Sequence, residues 1–174
     1  NDDLGIPESR NLQIQNLFPH GDELYALCQS NVPSSASSTL GPTTIFHRDS
    51  AGAWTNISPT TGEYSAGSFT ETFGAAEWHN GEFYAAYWNQ DFSRREIWKR
   101  SGTTWSLDFD SVADDAGAAF TYFPSMLSWN DRLYAGVEDN AGGGNYIVSK
   151  TSSWTHVTLA NSATILGKIP MCSC

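Results

Sequence analysis

Four groups of side chains in this sequence are of types and spacings that could do chemistry. The first is acidic. "DFDSVADDAG" at 108–117 sets Asp108, Asp110 and Asp114 close together, a spacing at which carboxylates could gather around Ca²⁺. The stretch lacks the sixth-position Gly and twelfth-position Glu of an EF-hand, so a solvated acidic loop is the competing reading. Ca²⁺ is the one cofactor these residues bring into question. The second group is "NQDFSRRE" at 89–96, where Asp91 precedes the adjacent pair Arg94 and Arg95. Neighbouring guanidinium groups can fork a carboxylate or a sulfate, and an exposed turn charged for solubility is the alternative. The third group is aromatic: Trp78 and Trp129 offer ring faces that suit the C–H faces of sugars, with core packing as the alternative. Asn140 and Asn145, in the Gly-rich "EDNAGGGNY" at 138–146, complete the candidate ligand-binding set. That stretch has no Lys-Ser/Thr end and no helix cue after it, so it is a turn rather than a phosphate loop.

The fourth group is the cysteines, Cys28, Cys172 and Cys174. A bridge within Cys172-Ser173-Cys174 would be strained, which leaves pairing to Cys28 or to another chain. The odd count flags an intermolecular bond, while Cys28, in an apolar run, could equally be a buried thiol. No His pair or second Cys pair stands at zinc-ligand spacing. One sequon, Asn56-Ile57-Ser58, could accept a glycan.

Nucleophilic catalysis has little support. His20, His47, His79 and His156 share no frame with a Ser or Cys nucleophile, and neither G-x-S-x-G nor H-E-x-x-H occurs. The question of an enzyme stays open, with binding favoured over catalysis. The chain carries 9 Lys plus Arg against 19 Asp plus Glu, a net charge of −10, which excludes a phosphate-binding face for nucleic acid. No run approaches 18 apolar residues, so no membrane-spanning helix is predicted. The opening "NDDLGIPESR" has neither the charged region nor the apolar region of a signal peptide, and would fit a mature chain after cleavage.

The elements that must position these groups are repeats. "PHGDELYALC" (19–28), "WHNGEFYAAY" (78–87) and "SWNDRLYAGV" (128–137) share a two-residue turn, a charged residue, Leu or Phe, then Tyr-Ala. Tyr25, Tyr84 and Tyr134 lie 59 and 50 residues apart. Asn80-Gly81 is a strong type I′ hairpin signal, because both residues tolerate positive φ. A second motif follows each first: "TIFHRDSAGAWTNIS" (44–58), "EIWKRSGTTWSLD" (96–108) and "YIVSKTSSWTHVTL" (146–159). Trp54, Trp105 and Trp154 lie 51 and 49 apart. Two independent motifs keep one period, with extra length in the Ser/Pro-rich 29–43.

Each repeat reads as four short strands, in the second about 73–79, 82–88, 95–100 and 103–108. A period near 50 with four strands is the size of a propeller blade. Aromatic residues at both parities, as in Phe83, Tyr84, Tyr87 and Trp88, indicate strands covered on both faces. The predicted fold is all-β, with propeller blades at about 12–58, 73–108 and 124–159 of one repeat domain, and 160–174 as a tail or the start of another blade. A β-trefoil or β-prism is the alternative. Three blades do not close a ring, so the ring would be completed by a second chain or by a longer one.

These repeats resemble those of secreted β-propellers of the kelch and Asp-box type. "RDSAGAW" (48–54) is similar to an Asp-box, with Asp49, Gly52 and Trp54 in place and one residue missing; the turns at 101–104 and 151–153 lack the Asp. The resemblance implies a secreted or cell-surface protein. It points to a non-catalytic module that meets a glycan or a protein surface through the long loops 29–43, 59–72, 89–95, 109–124 and 138–145. It leaves two alternatives: a structural protein assembling through blade edges, and a fragment of an Asp-box glycoside hydrolase, which would need two facing carboxylates.

Overall fold

The computed structural model describes residues 12–30, 43–59, 73–89, 94–111, 121–139 and 146–157. These residues form twelve strands and no helix, in three four-stranded antiparallel sheets. The first sheet takes β1 (Leu12–His20), β2 (Glu23–Ser30), β3 (Thr43–Arg48) and β4 (Trp54–Asn56). The second takes β5 (Phe73–His79), β6 (Glu82–Asn89), β7 (Arg94–Ser101) and β8 (Thr104–Asp110). The third takes β9 (Thr121–Trp129), β10 (Arg132–Asp139), β11 (Tyr146–Lys150) and β12 (Trp154–His156). Each sheet is a meander of four consecutive strands, which is the pattern of a propeller blade. Residues 1–72 and 73–174 form two compact units, so the first sheet lies in one and the second and third sheets in the other.

The turns follow from residue chemistry. Asn80 and Gly81 have φ of 50° and 78°, and Asn130 and Asp131 have φ of 50° and 59°, the paired positive values of a type I′ hairpin. Asn and Asp tolerate that region because their short polar side chains bond locally. The 48–54 turn is closed by Asp49. Ala53 N–H donates to Asp49 Oδ1 at 2.8 Å, and Gly52 N–H to the Asp49 carbonyl at 2.9 Å. Gly52 sits at φ 90°, and a Cβ there would lie 2.9 Å from Arg48 Nη2.

The middle strands are covered on both faces. In β6, Phe83, Tyr84, Ala85, Ala86 and Tyr87 are all buried, which accounts for apolar residues at both parities. The core between the second and third sheets gathers Ala75, Tyr84, Ala86, Ile97 and Phe109 from one, and Phe123, Met126, Leu133, Ala135, Val137 and Val148 from the other. Phe109 meets Phe123 and Trp154 edge-on at 5.9 and 5.7 Å, the geometry that ring quadrupoles favour. Each large side chain buried here contributes on the order of 1.5–3 kcal/mol. The first sheet holds a smaller cluster of Ala26, Cys28 and Phe46, against which Trp54 packs.

Two strand bounds differ from expectation. β8 continues to Asp110, so Asp108 and Asp110 belong to a strand and not to a loop. The continuation passes through a bulge: Trp98 pairs with Leu107 and Ile97 with Phe109, leaving Asp108 as the extra residue. β9 starts at Thr121, with an irregular stretch before Ser125 that contains Pro124, a residue without a donor for the ladder.

Candidate functional site

Polar side chains collect where the second sheet meets the third. Its centre is Asp108, the bulge residue of β8. Lys150 Nζ, at the end of β11, lies 2.5 and 2.6 Å from the two Asp108 oxygens. Trp154 Nε1, the residue paired with Lys150 across β11 and β12, donates to Asp108 Oδ2 at 2.8 Å. Both charged side chains are nearly buried, at 13% and 11% exposure, so this is a desolvated, fully bonded pair. The Lys150 ammonium also stands over the Tyr84 ring, 5.6 Å from its centroid.

From Tyr84 the network runs outward. Its hydroxyl donates to Glu82 Oε2 at 3.0 Å, and Lys99 approaches Glu82 Oε1 at 3.3 Å. Burial, followed by the bond to Glu82, pushes the Tyr84 phenol well above its ordinary range. The first sheet repeats this device on its own strands. Tyr25 donates to Glu23 at 3.1 Å, and His47, opposite Tyr25, stacks on its ring and lies 3.1 Å from Glu23. The bond from Tyr25, with one from His47, holds the Glu23 carboxyl below its usual range. The third sheet breaks the pattern with Arg132 and Ser149 at the matching positions.

At the hairpin end of the same interface, His79 is buried. Asn80 Nδ2–H donates to His79 Nε2 at 3.1 Å, which leaves Nδ1–H to donate to Ser128 Oγ at 2.9 Å. Burial lowers the His79 pKa. Two residues earlier, Glu77 accepts from Trp78 N–H at 2.8 Å, and a bond from the Ser128 backbone also acts on it. Burial outweighs these bonds and raises its carboxyl above the ordinary range.

The predicted site residues divide as follows. Trp129 is 64% exposed, the most open of the large apolar side chains among the described residues, and Tyr134 props it at a ring distance of 6.3 Å. Trp78 is half-buried and packs on Phe83 at 5.4 Å, so its role is in the sheet. Both lie at the short-turn end of their sheets. Arg94 and Arg95 open β7, where they pair with Asn89 and Trp88. Asp91, Asp114, Asn140, Asn145, Cys172 and Cys174 lie outside the described residues. Asp108 holds Lys150 in the role proposed for a metal ligand, Asp110 is buried, and no cluster of three His, Cys, Asp or Glu with metal-holding geometry occurs among the described residues. Cys28 is a buried, unbridged thiol, pushed up to about 11 by burial. Asn56 is exposed on β4; its Oδ1 accepts from Ser58 N–H at 3.0 Å and from Ser58 Oγ–H at 2.7 Å, the bonding of an Asx turn.

Glu77, Lys150 and the fully buried Glu96, which accepts from Trp98 Nε1 at 2.7 Å, were not singled out by sequence reasoning. The recurring basic residue after each Ile was the available signal for Lys150; nothing in the spacing marked its partner, 42 residues away.

Among known proteins, no family matches and no curated protein matches. Among solved structures, the chain is similar to the GH32 beta-fructofuranosidase of Bombyx mori, at 11% identity and a TM-score of 0.44 over 87% of this chain and 37% of that one. It is also similar to an endo-arabinase from Bacteroides thetaiotaomicron, at 12% identity and a TM-score of 0.41 over 81% of this chain and 58% of that one. The chain thus spans between a third and three-fifths of those structures.

Proposed function

We propose that the chain is a propeller-type module that binds a glycan outside the cell, with Trp129 as its sugar-stacking platform. The observation that carries this reading is a tryptophan 64% exposed on a rigid scaffold. A mobile surface side chain would not preorganise a ligand. Trp129 ends β9 against a type I′ turn and is propped by Tyr134. A fixed, open indole face beside the polar turn residues Asn130 and Asp131 is the surface that a pyranose C–H face and its hydroxyls can meet. The net charge of −10 favours neutral or cationic partners over anionic ones. The Asx-turn geometry at Asn56 supports a chain that could carry a glycan itself.

The test is titration with a panel of neutral oligosaccharides followed by tryptophan fluorescence. Trp129→Ala should weaken binding by about tenfold or more, the equivalent of ~1.4 kcal/mol, while the melting temperature stays within a degree or two. Retention of the wild-type chain on no glycan, or unchanged binding by Trp129→Ala, overturns the reading.

A second reading, a segment of a glycoside hydrolase, is favoured by Glu77. A carboxyl raised by burial is the kind of group that serves as a general acid. A hydrolase also needs a second carboxylate at a defined separation. Glu77→Gln should abolish any turnover of aryl glycosides; turnover unaffected by it removes this reading.

A further inference from the structure

The second and third sheets of this chain show how one sheet is meant to cover the next, and two other faces repeat that chemistry without a partner. In the covered joint, the second sheet presents Tyr84 (2% exposed) and Ile97 (0%). The third sheet covers them with Met126 (7%), Phe123 (2%), Leu133, Ala135, Val137 and Val148, and with Trp154 bonded through Nε1.

The repeat register identifies the matching positions elsewhere. Tyr134 and Ile147 of the third sheet correspond to Tyr84 and Ile97, since Tyr134 pairs with Ser149 as Tyr84 pairs with Lys99. Both are only half-buried, and so is Leu127, on the same face of β9. On the first sheet, Leu17 corresponds to Met126, because each pairs with the Ala that follows the motif Tyr. Leu17 is 48% exposed and Ile14, two positions on along that face, 51%. Trp54 corresponds to Trp154; its Nε1 is buried without a hydrogen-bond partner. Tyr134, Ile147 and Leu17 are thus kept at positions whose counterparts Tyr84, Ile97 and Met126 are 0–7% exposed.

We propose that a second copy of this chain docks head to tail, with the Tyr134–Ile147 face of the third sheet in one copy covering the Leu17–Trp54 face of the first sheet in the other. The two faces repeat the apolar halves of the joint already made inside the chain, without a counterpart of Asp108, so the contact continues an existing interface through packing. A joint between unlike faces leaves each copy with one of each, and such contacts close into rings or extend. Trp129 lies at the hairpin end of the same face, at the position of His79, which the covered joint buries, so association and glycan binding compete for it.

Light scattering on the purified chain over 1–100 µM tests this. The expected mass is at least twice 19.0 kDa. Leu17→Glu, at an exposed position that leaves the fold intact, should return it to a single-chain mass with an unchanged circular dichroism spectrum. Ile147→Lys, on the same face but outside the Trp129–Tyr134 ring pair, should return it to a single-chain mass from the other side, and mixing the two variants should restore a two-chain species through the one intact joint. A single-chain mass for the wild type at 100 µM overturns the proposal. So does an assembly that survives Leu17→Glu, or two folded single-chain variants that do not associate when mixed.

Discussion

Replacing Asp108 by Ala isolates the polar joint between the second and third sheets. The substitution leaves the Lys150 ammonium, 13% exposed, without its one ion-pair partner among the described residues. It also removes the acceptor of Trp154 Nε1. Breaking a buried pair by removing one partner costs about 3–5 kcal/mol, and the residual exposure of both side chains places this case near the lower end. At ~4 °C per kcal/mol for a unit of roughly 100 residues, a loss of ~3 kcal/mol lowers the melting temperature by about 12 °C. Urea unfolding followed by tryptophan fluorescence would read the change, with Lys99→Met as comparison. The Glu82–Lys99 pair is 29% and 26% exposed at 3.3 Å, and its loss should cost less than ~1 kcal/mol. The double variant Asp108→Leu with Lys150→Met should be less destabilised than Asp108→Ala, because no charge is left buried alone. If Asp108→Ala costs no more than Lys99→Met, the two sheets are held by apolar packing and the reasoning fails.

Other outcomes follow from single residues. His79 has a folded pKa below its unfolded value, so its contribution is fully present above pH ~6.5 and is lost as pH falls toward the folded pKa. His79→Gln should flatten stability between pH 7 and 5 in a thermal-melt series. Glu77 has the opposite sign: its raised carboxyl favours the fold at low pH, and that contribution fades as pH rises through the folded pKa. Glu77→Gln should therefore be neutral or stabilising at pH 7, by up to ~1 kcal/mol. Gly52→Ala should destabilise by more than ~1 kcal/mol, since it adds a contact with Arg48 to an unfavourable φ. Gly102→Asn, at φ 59° with nothing within 4 Å, should be tolerated; differential scanning calorimetry of the pair checks both.

Much of the fold was legible because its determinants are local. The Asn80-Gly81 hairpin, the four strands of the second repeat and the 48–54 turn depend on residues within a few positions of one another, and those motifs recur at a fixed period. The site was less legible because its determinants are distant. Asp108 reads as one of several acidic residues near a loop until the β8 bulge turns it toward a lysine 42 residues away. Trp78 and Trp129 look alike in sequence, yet they sit in adjacent registers. Trp78 pairs with Phe83, two positions before the turn residue Asn80, whereas Trp129 pairs with Arg132 directly before its turn and corresponds to His79, so only one of the two indoles stands open. The burial of His79 and Glu77 likewise depends on the third sheet, which no pattern within β5 announces.

The extra residue in β8 has a bearing on how the chain could vary. The fourth strands of the other two sheets run without it: Ile57 and Val157 bond back to Ile45 and Ile147, where Phe109 pairs with Ile97. Neither has a carboxylate in the gap. Only the second sheet can therefore offer an acid to a following lysine, which makes the repeats directional and non-interchangeable. A chain with its second and third repeats exchanged would keep its composition, its period and every hairpin. It would nonetheless part Lys150 from the carboxylate that holds it in the present order. A one-residue insertion thus acts as an address, fixing which repeat stands next to which.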